Sequence, residues 1–128
     1  MNSHTTLSQV APFVLLHVED VARSAAFYGQ MLGAAPLEQS PGFAMLALGG
    51  GARLGLWKRA GVLPVPDGTP GASELAFPVT DGAQVDALHA AWIGQGLTVL
   101  QAPEDREFGR TSTVADPDGH RVRVFCPS

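Results

Sequence analysis

Five side chains set in strand-like runs carry most of the chemistry open to this sequence. They are the imidazole of His17 in FVLLHV, the indole of Trp57 in RLGLWK, the carboxylate of Glu74, and the guanidinium groups of Arg121 and Arg123 in RVRVFC. A guanidinium is a permanent, planar cation that grips carboxylates through two parallel hydrogen bonds and repels metal ions. A carboxylate in an apolar setting ligates metals, or serves as a general base if its pKa is raised. A large aromatic ring offers a flat surface for stacking. Nucleophilic catalysis has little support. The serines 24, 40, 73 and 112 lie in no strand-turn-helix elbow, and the GGG run at 49–51 joins two strands rather than a strand and a phosphate-binding helix. His4, His17, His89 and His120 form no two-histidine metal spacing with one another. These residues argue for binding over catalysis.

Strand alternation sorts the candidates onto faces. In the first run Val14, Leu16 and Val18 share a side that should pack on a helix, leaving Phe13, Leu15, His17 and Glu19 on the other. In the run 53–58, Leu54 and Leu56 take the helix side, and Arg53, Gly55 and Trp57 the open side. In the last run Val122, Val124 and Cys126 are the packing residues, so Arg121, Arg123 and Phe125 face the open side. Phe43 and Met45 fall on the open side of their own strand, where a flexible thioether can follow an irregular ligand edge. Gly55 should leave room beside Trp57 for a flat ring. Phe108 and Arg110, at the entry to a strand, are placed at the rim of the same site. Trp92 falls in line with Val85 and Leu88 and reads as core, Tyr28 beside Phe27 as structural, and His89 as lying on the polar side of its helix.

These residues are positioned by two similar blocks. FVLLHV leads to a capping Asp20, a helix VARSAAFYGQML in which Ala22, Ala26 with Phe27, and Met31 recur at helical spacing, and a stop at Gly33. LAFPV leads in the same way to Asp81, the helix GAQVDALHAAWIGQ, and Gly96. Three strands are expected after each helix, at Pro36 to Glu38, Phe43 to Leu48 and Arg53 to Lys58, then at Thr98 to Gln101, Thr111 to Ala115 and Arg121 to Cys126. The last two are joined by the turn DPDG. The expected fold is α+β, a βαβββ unit made twice within one domain: repeat one at about 11–58, a Pro- and Gly-rich linker or flap at 59–73, and repeat two at about 74–127.

Composition narrows the function classes. A net charge of −4 offers no basic field for a phosphate backbone, so nucleic acid is an unexpected partner. The single cysteine, Cys126, cannot form an internal disulfide or a multi-thiolate metal site. The opening MNSHTTLSQV lacks the pattern of a signal peptide, and no apolar run is long enough to span a membrane. A soluble cytoplasmic protein with a frayed N-terminal tail is expected, with no membrane partner.

The two strand-to-helix joints, above all VEDVARSAAFY, together with the ending FGRTSTVADPDGHRVRVF, resemble the vicinal oxygen chelate superfamily of glyoxalases, extradiol dioxygenases and bleomycin-resistance proteins. The resemblance runs from about Pro12 to Pro127. It implies curved mixed sheets enclosing a cavity, with homodimers that in many members exchange halves. Carried onto this chain, the positions that hold metal in the metal-dependent members fall at Phe13, Trp57, Glu74 and Arg123, of which only Glu74 can ligate. The resemblance therefore points to the metal-free binding branch, and the ending is especially similar to phenazine-resistance proteins. The expectation is a homodimer without cofactor or metal that sequesters a planar aromatic antibiotic or metabolite. Trp57 and His17 would flank the rings, Phe13, Phe43 and Met45 would form apolar wall, and Glu74 and Arg123 would orient polar substituents. Two enzyme alternatives stay open: a metal-dependent lyase or dioxygenase using His17, Glu19 and Glu74, and a metal-free enzyme with Glu74 as base.

Overall fold

A computed structural model describes residues 6–127. His4 and the first five residues of the expected frayed tail lie outside the described residues. The chain divides into two compact units, Met1–Pro66 and Asp67–Ser128, each a four-stranded mixed sheet with one helix.

In the first unit β1 (Phe13–Val18) leads into α1 (Val21–Leu32), then β2 (Glu38–Gln39), β3 (Phe43–Ala47) and β4 (Arg53–Lys58), with sheet order β1-β4-β3-β2. The Asp20 carboxylate accepts the Arg23 backbone N–H at 3.1 Å, and Gly33 closes the helix at φ 69°, a conformation that costs residues with a Cβ. The buried stripe of α1 is Val21, Ser24, Ala25 and Tyr28. Of the expected stripe, Ala22 and Ala26 lie one position to the side and are exposed, and Phe27 and Met31 are half-buried, while the Tyr28 ring is fully buried. The stripe covers a face formed by Val18, Ala44, Leu46, Leu54 and Leu56, all at 0% exposure. Burying each of the three leucines contributes on the order of 1.5–3 kcal/mol.

In the second unit β5 (Glu74–Pro78), α2 (Gly82–Gly94), β6 (Thr98–Arg106), β7 (Gly109–Ala115) and β8 (Arg121–Pro127) form the order β5-β8-β7-β6. Asp81 and Gln84 make a reciprocal capping box at the start of α2. Val85 and Trp92 pack beneath the helix. His89 shares that side: its Nδ1 lies 3.3 Å from the Ser112 hydroxyl on β7, so it is not on the solvated face expected for it. β6 runs five residues past the expected Gln101. Two register shifts around Gln101, and its position at the sheet edge, accommodate Pro103 within the strand. Before β8, the Asp116 carbonyl accepts the Gly119 N–H at 3.0 Å, its carboxylate caps Asp118 and His120, and Gly119 adopts φ 100°.

The Pro- and Gly-rich segment between the repeats is divided. Val62 is buried in the first unit and the Arg59 guanidinium reaches the Pro66 carbonyl at 3.5 Å, whereas Pro70 and Gly71 lie against Gly119 of the second unit.

Candidate functional site

Each sheet keeps one face for its helix and turns the other away from it. In the first unit the second face is ordered in rows by strand register. His17 of β1, Trp57 of β4 and Phe43 of β3 stand side by side; the next row is Leu15, Gly55 and Met45; the last is Phe13, Arg53 and Ala47. The His17 and Trp57 rings meet edge to face with centroids 6.3 Å apart. Phe13 and Leu15 are 53% and 46% exposed, a large apolar surface for two adjacent positions. Gly55 does not leave an empty slot beside Trp57, as expected. A Cβ there would fall 2.7 Å from Leu15 Cδ2 and 3.0 Å from Phe43 Cζ, so both side chains already lean over the glycine. The missing side chain brings Leu15 and Phe43 together and makes the surface beside Trp57 continuous.

The corresponding face of the second unit is polar. Arg123 donates from Nε and Nη2 to the two oxygens of Glu74 at 2.8 and 2.9 Å, and from Nη1 to Gln101 Oε1 and Thr111 Oγ1, both at 2.9 Å. Thr111 in turn donates to the Val124 carbonyl, and Thr113 to Gln101 Oε1. Arg121 approaches the same Glu74 carboxylate at 3.8 Å. Hydrogen bonding from Arg123, with the charges of Arg123 and Arg121 adding to it against the opposing effect of burial, lowers the Glu74 pKa below its ordinary value. The Arg123 pKa is raised, chiefly by its hydrogen bonds to Glu74. A general base needs the opposite shift, so the geometry does not prepare Glu74 for that role. Phe125 follows on the same strand face and meets Phe108 edge to face at 6.2 Å.

Arg110 does not join this face. It stands on the helix side of β7, where its Nε donates to Asp86 of α2 at 2.9 Å and its Nη1 to Asp105 at 3.0 Å. β7 begins at Gly109, two residues earlier than expected, which gives Arg110 the strand parity of Ser112 and Val114. Its pKa is raised by those two carboxylates, Asp86 first. Gln101, Thr111 and Thr113 were not singled out from the sequence. The alternation in RTSTV carried a signal for the two threonines, whose parity sets them opposite Phe125 and Arg123. Nothing comparable marked Gln101.

Register also revises the internal correspondence. Phe13 pairs with Arg53 as Glu74 pairs with Arg121, so the counterpart of Arg123 is Gly55, and that of Trp57 is Phe125. The first-unit positions equivalent to the Glu74–Arg123 pair are thus Phe13 and Gly55, neither of which has a donor for a metal. In the second unit both Glu74 oxygens are engaged by Arg123. Among the described residues no group of three or more His, Cys, Asp or Glu side chains could hold a metal ion. These residues do not fit the metal of the metal-dependent enzymes. A cleft of about 730 Å³ in the first unit, lined by Glu19, Val21, Ser40 and Lys58 among others, is bordered by the start of α1 and the turn before β3 and includes none of the aromatic row.

Comparison with known proteins agrees with this architecture. Residues 7–124 match the family model described as Glyoxalase/Bleomycin resistance protein/Dioxygenase superfamily. The chain is 34% identical over 116 residues to the phenazine antibiotic resistance protein EhpR of Enterobacter agglomerans, covering 88% of each chain. It is similar to a solution NMR structure of a protein from Agrobacterium tumefaciens, with TM-score 0.84 and 44% identity over 94% of this chain and 99% of that one. It is also similar to a crystal structure of a glyoxalase-related enzyme from Fulvimarina pelagi, with TM-score 0.81 and 27% identity over 92% and 88% of the two chains.

Proposed function

The chain belongs to the glyoxalase/bleomycin resistance protein/dioxygenase superfamily, and from that premise we propose that it is a metal-independent binding protein that sequesters a planar aromatic antibiotic or metabolite of the phenazine type. The observation that carries the reading is the row His17, Trp57 and Phe43, continued by Leu15 and Phe13, on a sheet face not taken up by the helix. Ring stacking on an indole, with apolar flanks and few polar groups, is what recognition of a flat heterocycle requires. The similarity to EhpR, a phenazine resistance protein, favours this ligand class over the other substrates of the superfamily. Among the described residues no group of three or more His, Cys, Asp or Glu side chains is set to hold the metal of the metal-dependent alternative, and the Glu74-base alternative meets a lowered pKa.

In this reading the protein works as a cytoplasmic homodimer and protects its host by holding the compound. Trp57 and His17 flank the rings, while Phe13, Phe43 and Met45 form the wall. Among the described residues no helix is long and apolar enough to cross a membrane. Equilibrium dialysis of purified protein against phenazines tests the proposal. Saturable binding of unmodified ligand at one site per chain or per dimer supports it; conversion of the ligand to a new product, or metal-dependent uptake, would replace it with an enzyme.

A further inference from the structure

Arg53 opens β4 on the same sheet face as Trp57, in register with Phe13 of β1 and Ala47 of β3. It is half-buried. Its Nη1 donates to the Gly51 carbonyl at 3.1 Å, which ties the guanidinium to the hairpin before β4 and leaves its other N–H groups without a partner among the described residues. No described carboxylate lies within ion-pair distance of it, whereas Arg106, Arg110, Arg121 and Arg123 of the second unit each reach an Asp or Glu. A permanent charge partly withdrawn from water and left without a counter-ion is a ready partner for an anion. Four residues along an extended strand put Arg53 about 13 Å from Trp57, with Leu15 and Phe43 closing over Gly55 between them. The other charged group of these rows is Glu38, exposed on the edge strand β2 opposite Met45. Two strand spacings and one row set its backbone about 12 Å from that of Arg53.

We propose that Arg53 is an anion subsite of the first unit's aromatic face, so that the ligand is a planar aromatic carrying a carboxylate, its rings on Trp57, Leu15 and Phe43 and its carboxylate on the Arg53 guanidinium. The assignment rests on the reading of this face as the site of a planar aromatic, and adds the charge of the ligand and its direction. A guanidinium with uncommitted donors gives a carboxylate charge-assisted hydrogen bonds that a neutral ring substituent does not match. Glu38 adds polarity: it repels a carboxylate from the β2 edge and turns it toward the start of β4.

The test compares three probes of one ring system: phenazine, phenazine-1-carboxamide and phenazine-1-carboxylate. The carboxamide has the shape of the carboxylate without its charge. Dissociation constants are measured by calorimetry at pH 7.5 in low salt for the wild type, Arg53→Gln, Arg53→Lys and Glu38→Gln. The carboxylate should bind the wild type about 5-fold or more tighter than the carboxamide. That ratio should fall toward one in Arg53→Gln, survive in part in Arg53→Lys, which keeps the charge without the planar fork, and stay equal or rise in Glu38→Gln. Each ratio compares two ligands on one protein, so a general weakening of a variant cancels from it. A wild-type ratio near one, an undiminished ratio in Arg53→Gln, or a lower one in Glu38→Gln overturns the anion subsite while leaving the aromatic-ligand reading intact. Failure of all three probes to bind the wild type overturns both.

Discussion

Removing Arg123 should destabilise the second unit by an amount set by how far its ion pair is withdrawn from water. Exposed pairs contribute about 0.2–1 kcal/mol, and breaking a fully buried one costs about 3–5 kcal/mol. Arg123 and Glu74 retain 20% and 28% exposure, which puts them between these limits. Arg123→Met also takes one donor each from Gln101 Oε1, which keeps its bond from Thr113, and from Thr111 Oγ1, which keeps its bond to the Val124 carbonyl. We expect a loss of about 2–3 kcal/mol for Arg123→Met, allowing for charge-assisted hydrogen bonds that are partly solvated. Glu74→Gln should cost less, about 1–2 kcal/mol, because Arg123 keeps its bonds to Gln101 and Thr111. The double mutant should fall short of the sum by about 1 kcal/mol or more, the coupling of a contacting pair. The assay is urea unfolding in a Trp57→Phe background, where the buried Trp92 of α2 reports on the second unit. With m near 2 kcal/mol/M, the Arg123→Met midpoint moves down by roughly 1–1.5 M. Single mutants within about 0.5 kcal/mol of wild type, or no coupling between them, would refute the argument that this pair organises the face.

Other consequences can be measured on the same scale. The Glu74 pKa is lowered in the folded state, so its stabilisation is fully present above its ordinary value of 4.5 and is lost as the pH falls through the lower folded value; midpoints measured from pH 6 down to pH 3 should decline less steeply in Glu74→Gln. Gly55→Ala should leave the chain folded but displace Leu15 and Phe43, whose side-chain ends would lie 2.7–3.1 Å from the new methyl; ligand affinity should drop several-fold with little change in urea midpoint. Leu56→Ala removes a fully buried side chain beneath α1 and should cost about 2–5 kcal/mol. Asp81→Ala breaks the capping box of α2 and should cost about 1 kcal/mol.

Much of this arrangement was legible in the residues. Asp20 and Gly33 bracket α1, Asp81 opens α2, and alternation in FVLLHV, RLGLWK and RVRVFC places Leu15, Trp57 and Arg123 away from the helices. These are local signals, set by capping chemistry and by the two-residue period of a strand. What escaped was non-local. The resemblance sets Trp57 and Arg123 at matching strand-end positions, whereas pairing with β1 and β5 aligns Gly55 with Arg123, and a parallel register is set by a strand distant in sequence. Arg110 was misplaced because nothing local shows that β7 starts at Gly109, nor that Asp86 waits on α2. The expected strand from Thr98 stops at Gln101, whereas β6 continues past Pro103, because a bulged edge position that tolerates proline has no local mark in the sequence.

The most direct test of the binding reading is a fluorescence titration of the purified protein with phenazine-1-carboxylate, with and without EDTA, in wild type and Trp57→Phe. Saturable quenching that is unchanged by EDTA and lost in Trp57→Phe, where the buried Trp92 alone remains, is the predicted result. Quenching that requires added metal, or that persists undiminished without Trp57, would contradict metal-free sequestration on the aromatic face of the first unit.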